Sequence, residues 1–174
     1  MRFQDLDSWL RWQETLHPTR IELGLDRVGR VAERLELLDP RHRIVTVAGT
    51  NGKGSSVAML ESVLRAAGYR VGAYTSPHLL HYAERIRIGG IPAQDAALCQ
   101  AFERIDHARG ETSLSYFEFG TLAALLLFES ANLDVALLEV GLGGRLGNRI
   151  REEEGLAYYV HSSMHASVGA GPYL

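Results

Sequence analysis

The chain has 174 residues, 46% of them hydrophobic, which is enough to bury the core of one domain. Its formal net charge of −3 argues against a general role on nucleic acid or on a membrane surface. Cys99 is the single cysteine, which excludes an intrachain disulfide framework and a cysteine zinc cluster and fits a reducing cytoplasm.

The first 20 residues carry Arg2, Asp5, Asp7, Arg11 and Glu14, so no signal peptide is expected there. Residues 6–16 and 25–38 read as amphipathic helices. In the second, Leu25, Val28, Val31, Ala32, Leu35 and Leu38 recur near helical spacing, and Pro40 closes the pattern. A β-branched run over 43–48 predicts a buried strand. Residues 53–67 predict a helix with Val57, Met59, Leu60, Val63 and Leu64 toward the sheet and Gly68 at its C-terminal end. Residues 70–74 predict the second strand, followed by a loop containing Ser76, Pro77 and His78. Residues 85–88 with Gly89, Gly90 and Ile91 predict a strand entering a tight turn. Arg85 and Arg87 alternate with Ile86 and Ile88, so a solvated strand face is expected for them. Residues 93–108 predict a helix in which Cys99 is a packing residue, and 116–130 an apolar, buried helix. The apolar run 122–128 is too short to span a bilayer. Residues 133–140 predict a third strand, apolar except for Asp134 and Glu139.

Strands and helices in alternation imply a parallel sheet, in which ligands bind at the carboxyl ends of the strands. Three polar clusters fall at such ends. The first is Gly49, Thr50, Asn51, Gly52, Lys53, Gly54, Ser55 and Ser56, between a strand and a helix. Such a loop aims backbone N–H groups at a phosphate chain, its lysine meets the outer phosphates, and a hydroxyl can hold Mg²⁺. It departs from the common G-x-x-x-x-G-K-S/T pattern: Val47 stands where the first glycine would be, and Gly54 follows the lysine. The second cluster is Ser76, Pro77, His78 and Leu79. There Ser76 can complete a magnesium shell or cap a turn, and His78 by itself is more often a loop residue with a local hydrogen bond. The third is Glu139, followed by Gly141; a charge ending an apolar strand is costly unless exposed, paired or metal-bound. Mg²⁺ suits one carboxylate with hydroxyl, phosphate and water ligands, and a salt-bridged rim residue is the competing reading. Phe117 and Phe119 open the buried helix, a position that more often serves the core than a ligand.

Several longer motifs then agree. G-T-N-G-K-G-S at 49–55, S-P-H-L at 76–79, Y-F-E-F-G-T at 116–121 and L-E-V-G-L-G-G-R-L at 138–146, with I-E-L-G-L-D-R-V at 21–28, resemble the bifunctional dihydrofolate synthase/folylpolyglutamate synthase family over residues 1–146. The resemblance implies an α/β fold, a three-layer parallel-sheet P-loop domain of Mur-ligase type, here truncated. It implies an ADP-forming carboxylate–amine ligase that uses ATP and Mg²⁺ to join L-glutamate to dihydropteroate or a folate through an acyl phosphate. Such a protein is expected to be cytoplasmic and monomeric, with small-molecule substrates and neither nucleic acid nor membrane as partner. By motif, the nucleotide site is 49–56 with Lys53 on the phosphates. The metal ligands are Ser55, Ser76 and Glu139, and the folate side is Ser76, Pro77, His78, Leu79, Ser115 and Phe117.

After Leu146 the family pattern breaks. Its D-A-T-N-like continuation is replaced by Gly147, Asn148, Arg149 and Ile150, and its later histidine ligand, modified lysine and second domain have no counterpart; His161 and His165 stand in a foreign context. Residues 143–160 resemble a C-terminal-domain segment of insulinase-type metallopeptidases, with Arg151 and Tyr158 at matching positions, although no H-x-x-E-H zinc motif occurs. Residues 1–146 are therefore read as a partial ATP-binding domain and 147–174 as a foreign or divergent tail. A ligase fragment joined to a peptidase-like segment is one reading, and a frameshifted or divergent tail the other. The tail is expected to form a helix over 148–154 and a strand over 156–162, covering an edge left at strand 133–140. A nucleotide- or folate-binding fragment without turnover, fused to a peptidase-like interaction segment, is the alternative function.

Overall fold

The computed structural model describes residues 1–16, 25–49 and 51–141. Thr50, residues 21–24 of the N-terminal motif and the whole tail, with Arg151, Tyr158, His161 and His165, lie outside the described residues.

The elements follow in the order α1 (Leu6–Thr15), α2 (Asp26–Arg34), β1 (Arg43–Gly49), α3 (Lys53–Ala66), β2 (Val71–Tyr74), a 3-10 turn (Tyr82–Arg85), β3 (Ile86–Ile88), β4 (Ile91–Pro92), α4 (Asp95–Arg109), α5 (Tyr116–Ser130) and β5 (Val135–Gly141). The five strands form one sheet in the order β1-β5-β2-β3-β4. β5 pairs in parallel with β1 on one side and β2 on the other, and the β3–β4 hairpin extends the sheet antiparallel beyond β2.

Side-chain alternation divides the sheet into two faces. Val71 and Ala73 of β2 and Val135 and Leu137 of β5 meet Val57 of α3, with Leu60 and Leu64 packed against them. Tyr74 and Ala136 belong to the larger cluster on the other face, built from α5 and α4 through Leu98, Phe102, Leu122 and Phe128. α1 and α2 pack outside α4 and α5. Trp9, fully buried, contacts Phe102, and Trp12 contacts Phe119. Cys99 is the expected buried, free thiol.

Three expectations need correction. Strand 133–140 is no edge: β5 is hydrogen-bonded on both sides. Its run is apolar on both faces, with Ala136 and Leu137 fully buried, and such a strand is stable only between neighbours. Among the described residues the sheet ends instead at β1, where Arg43 and Ile44 are exposed. Met59 and Val63 point away from the sheet, 70% and 66% exposed, because Val57, Leu60, Glu61 and Leu64 already define the inward stripe at helical spacing. Finally, α2 stops at Arg34, well before Pro40. Glu36 adopts φ 59, the N–H groups of Glu36 and Leu37 donate to the carbonyls of Glu33 and Ala32, and Leu37, not Leu38, is buried. This left-handed close uses a buried contact where the sequence offers no glycine.

Carboxylates pin the backbone at several joints. Asp5 caps α1 through the Ser8 N–H, Glu103 accepts from the Arg2 N–H, and Asp134 accepts from the Arg70 N–H and guanidinium. Glu84 accepts from Leu79, Leu80 and His81. Hydrogen bonds from their partners lower the pKa of all four, led by the Ser8 side chain for Asp5, the Leu79 N–H for Glu84, the Arg2 N–H for Glu103 and the Arg70 side chain for Asp134. A lowered carboxylate pKa adds stability that is complete above the ordinary range and lost as pH falls through the folded value. The thermal midpoint should therefore hold between about pH 7 and 5 and drop below about pH 4, with a shallower drop in Asp134→Asn. A second expectation concerns packing: a Cβ on Gly72 would collide with Leu133 and Phe128. Gly72→Val should cost about 1–3 kcal/mol in denaturant unfolding.

Candidate functional site

β1 and β5 end together, Gly49 opposite Gly141, and β2 ends with Tyr74 opposite Leu138 of β5. The loops leaving β1 and β2 therefore emerge beside the C-terminal end of β5. Glu139 follows Leu137 by two residues, so alternation sends its side chain to the α3 face. There it meets the start of α3.

That helix begins without a side-chain cap. Gly52 at its N-cap has φ 75, a conformation that favours glycine, and makes no side-chain capping bond. The first turn of α3 thus presents backbone donors at the positive end of the helix dipole. Lys53 Nζ lies 3.9 Å from Glu139 Oε1, and the Ser76 N–H donates to Glu139 Oε2 at 3.3 Å. A Cβ on Gly54 would stand 3.9 Å from that same oxygen, in ordinary van der Waals contact, so Gly54 lies directly beside the carboxylate. Ser55 is exposed, while Ser56 Oγ donates to the Gly52 carbonyl within the helix.

Glu139 is only 6% exposed, yet both contacts are at the long end for charged groups. The structure thus joins Lys53, Gly54, Ser76 and Glu139 in one place, as the three strand-end clusters of the sequence imply. Among the described residues no three His, Cys, Asp or Glu side chains form a metal cluster. The donor set is one buried carboxylate with Ser76 beside it and an uncapped helix start. It fits a hard cation that completes its shell with phosphate oxygens and water, as Mg²⁺ does.

The loop after β2 is less simple than expected. The Ser76–Pro77 peptide is cis. Leu79 and Leu80 are 90% and 82% exposed. His78 takes a hydrogen bond on Nδ1 from Arg85 Nε at 2.8 Å and packs against Tyr82 at 5.9 Å. Arg85 lies over the rings of Tyr82 and Tyr116, and Arg87 pairs with the buried Glu61 of α3 at 3.0 Å. The solvated face expected for both arginines is thus wrong: the 3-10 turn and hairpin fold back onto α3 and the aromatic cluster, and the guanidinium planes fill that contact.

Phe119 is core, as expected, but Phe117 stays half-exposed, tilted against Tyr74 at 6.1 Å. Ser115 forms a capping box with Glu118: its hydroxyl donates to Glu118 Oε2 and accepts from the Glu118 N–H. Glu118 is itself buried and meets Arg27 of α2 at 3.4 Å. Burial raises the phenol pKa of Tyr74, Tyr82 and Tyr116, most for Tyr82, so these rings act as neutral groups. Tyr82, Tyr116, Glu61 and Arg27 are not singled out in the sequence, since each acquires its role from a partner on another element; Glu84, also missed, acts locally on N–H groups three to five residues before it. The alternating arginines at 85 and 87, opposite an acid in the phosphate-loop helix, were the one available signal. A cavity of about 550 Å³ lies at the opposite end of the sheet, lined by Arg41, His42, Arg70, Glu129 and Asp134, and takes no part in this arrangement.

No protein-family profile matches the chain. The dihydrofolate synthase/folylpolyglutamate synthase of Escherichia coli K12 is 56% identical over 141 residues, 81% of this chain and 33% of that protein. The structure of E. coli FolC in complex with DHPP and ADP superposes with a TM-score of 0.79 at 55% identity, over 82% of this chain and 34% of that one. The Yersinia pestis bifunctional folylpolyglutamate synthase/dihydrofolate synthase complexed with AMPPNP and Mn ion gives 0.78 at 58% identity, over 82% and 35%. The chain spans about a third of the length of these relatives. Over four fifths of its own length it is similar in sequence, and in its Mur-ligase-like α/β fold, to the dihydrofolate synthase/folylpolyglutamate synthases.

Proposed function

We propose that the chain is the N-terminal, nucleotide-binding portion of an ATP-dependent ligase that joins L-glutamate to dihydropteroate or a folate. The observation carrying this reading is the meeting of Lys53, Ser76 and Glu139 at the ends of adjacent parallel strands, beside an uncapped helix start. The high identity to ligases of that name supports it.

In this reading residues 49–56 hold the phosphates, with Lys53 on the outer ones. Ser55, Ser76 and Glu139 hold Mg²⁺. Residues 76–79 with Ser115 and Phe117 face the pterin, Phe117 through its open ring and Ser115 by setting the start of α5. Mg-bound ATP supplies a phosphoryl group to the substrate carboxylate, with ADP leaving. The glutamate amine then attacks the acyl carbon, phosphate departs, and an amide remains. The part of this chain is to hold the phosphates in line and disperse their charge through Lys53 and the α3 N-terminus. Closure over the reacting groups belongs to the two thirds of the ligase that this chain does not span. The intact protein is read as a cytoplasmic monomer acting on small molecules. Among the described residues no helix is long and apolar enough to cross a membrane.

Residues 147–174 are proposed as a foreign tail, peptidase-like in its 143–160 stretch, joined to a partial ATP-binding domain of residues 1–146. A second reading follows from the same coverage: this chain alone binds nucleotide without turnover. Glutamate-dependent ADP release with dihydropteroate separates the two.

Binding itself is checked by melting the chain with and without Mg-ATP. At about 100 times the dissociation constant, the ligand should add about 2.7 kcal/mol. Lys53→Ala should abolish the shift, and Glu139→Gln should remove the part that depends on Mg²⁺. A cooperative melt with no shift in the unaltered chain would overturn the reading.

A further inference from the structure

The loop over residues 75–81 carries Ser76 to Glu139, yet apolar packing holds little of it: Leu79 and Leu80 are almost wholly exposed, and His78 alone rests on a ring, that of Tyr82. Its conformation is fixed by polar groups of the segment that follows. The Glu84 carboxylate takes three successive backbone N–H groups, from Leu79 at 2.8 Å, Leu80 at 3.1 Å and His81 at 2.8 Å. The Thr75 N–H donates to the Arg85 carbonyl at 2.8 Å.

One guanidinium then ties this loop to the phosphate-loop helix. Arg87 donates to Thr75 Oγ1 at 3.2 Å, to the Glu84 carbonyl at 3.3 Å and, through Nε and Nη2, to Glu61 Oε2 at 3.1 and 3.0 Å. Glu61 lies on α3 about two turns beyond Lys53. The Arg87 and Glu61 side chains are 21% and 8% exposed. A buried ion pair is a poor device for stability alone, since apolar residues of similar volume often serve as well. What an apolar pair would not supply is direction: a planar fork reaches three acceptors on three segments, which a lysine ammonium on its flexible stem does not reproduce.

We propose that Glu84 and the Arg87–Glu61 pair are positioning residues of the cation site, setting the distance between the Ser76 loop and the start of α3. The inference rests on the reading of Ser76 and Glu139 as cation ligands. The pair's effect should fall on the metal-dependent part of nucleotide affinity and spare the phosphate loop itself.

The test measures affinity of the intact chain for AMPPNP, once with Mn²⁺ and once in EDTA, for the unaltered chain, Glu84→Gln, Arg87→Lys and the milder Thr75→Val. Loss of outer contacts to a metal site commonly costs 10–100-fold in affinity. Glu84→Gln and Arg87→Lys should therefore lose about tenfold or more with Mn²⁺, Thr75→Val less, and all should stay within about twofold in EDTA. Unchanged affinity with Mn²⁺ in folded variants overturns the proposal. So does an equal loss in both conditions, which marks a merely structural role; Thr75→Val carries the same test if the charged variants do not fold. Failure of the unaltered chain to bind in either condition overturns the nucleotide-site reading and this inference with it.

Discussion

β5 hydrogen-bonds in parallel to β1 along one edge and to β2 along the other, and this double pairing sets the level at which three chain segments leave the sheet. With Gly49 opposite Gly141 and Tyr74 opposite Leu138, the glycine loop and the Ser76 loop emerge on either side of Glu139. A one-residue slip of β5 would move Glu139 to the aromatic face and Leu138 to the α3 face, since side chains alternate. The apolar demand on both faces of β5 therefore fixes register, and register fixes where the carboxylate stands.

Three buried acids show how the fold handles charge. Glu118 and Glu61 each meet an arginine from another element, Arg27 of α2 and Arg87 of β3. Removing one partner of such a pair strands a charge and typically costs about 3–5 kcal/mol. Glu139 is treated differently: its nearest cation is 3.9 Å away and its backbone donor 3.3 Å. The first of these acids closes a joint between two helices and the second a joint between a helix and a strand. The third stands beside a helix N-terminus with those two long contacts, which sets it apart from the two acids that close joints between elements.

The margin of the sheet carries a second message. β1 ends the sheet among the described residues, Ile44 is 39% exposed, and α3 turns Met59 and Val63 outward. The opposite face, by contrast, is closed by four helices with Trp9, Phe102 and Phe119 at its centre. Among the described residues the core is thus closed on one side, while β1 and the outer face of α3 stay open.

The sequence by itself determined most of the elements, the glycine-rich loop between strand and helix, and the candidate ligands, because these are local: period-two and period-3.6 hydrophobicity, a glycine before a helix, an acid ending an apolar strand. The family motifs were legible for the same reason. Only the tertiary structure decided that β5 is central, that α2 ends in a left-handed turn at Glu36, and that Met59 and Val63 face outward. It alone converted Arg85 and Arg87 from a solvated face into an aromatic cover and a tie to Glu61. Those outcomes depend on partners far apart in the chain, such as Arg87 with Glu61 26 residues away, Ser76 with Glu139 63 away and Arg27 with Glu118 91 away. A charge carries no local mark of which distant opposite charge the packing of helices and strands will bring to it.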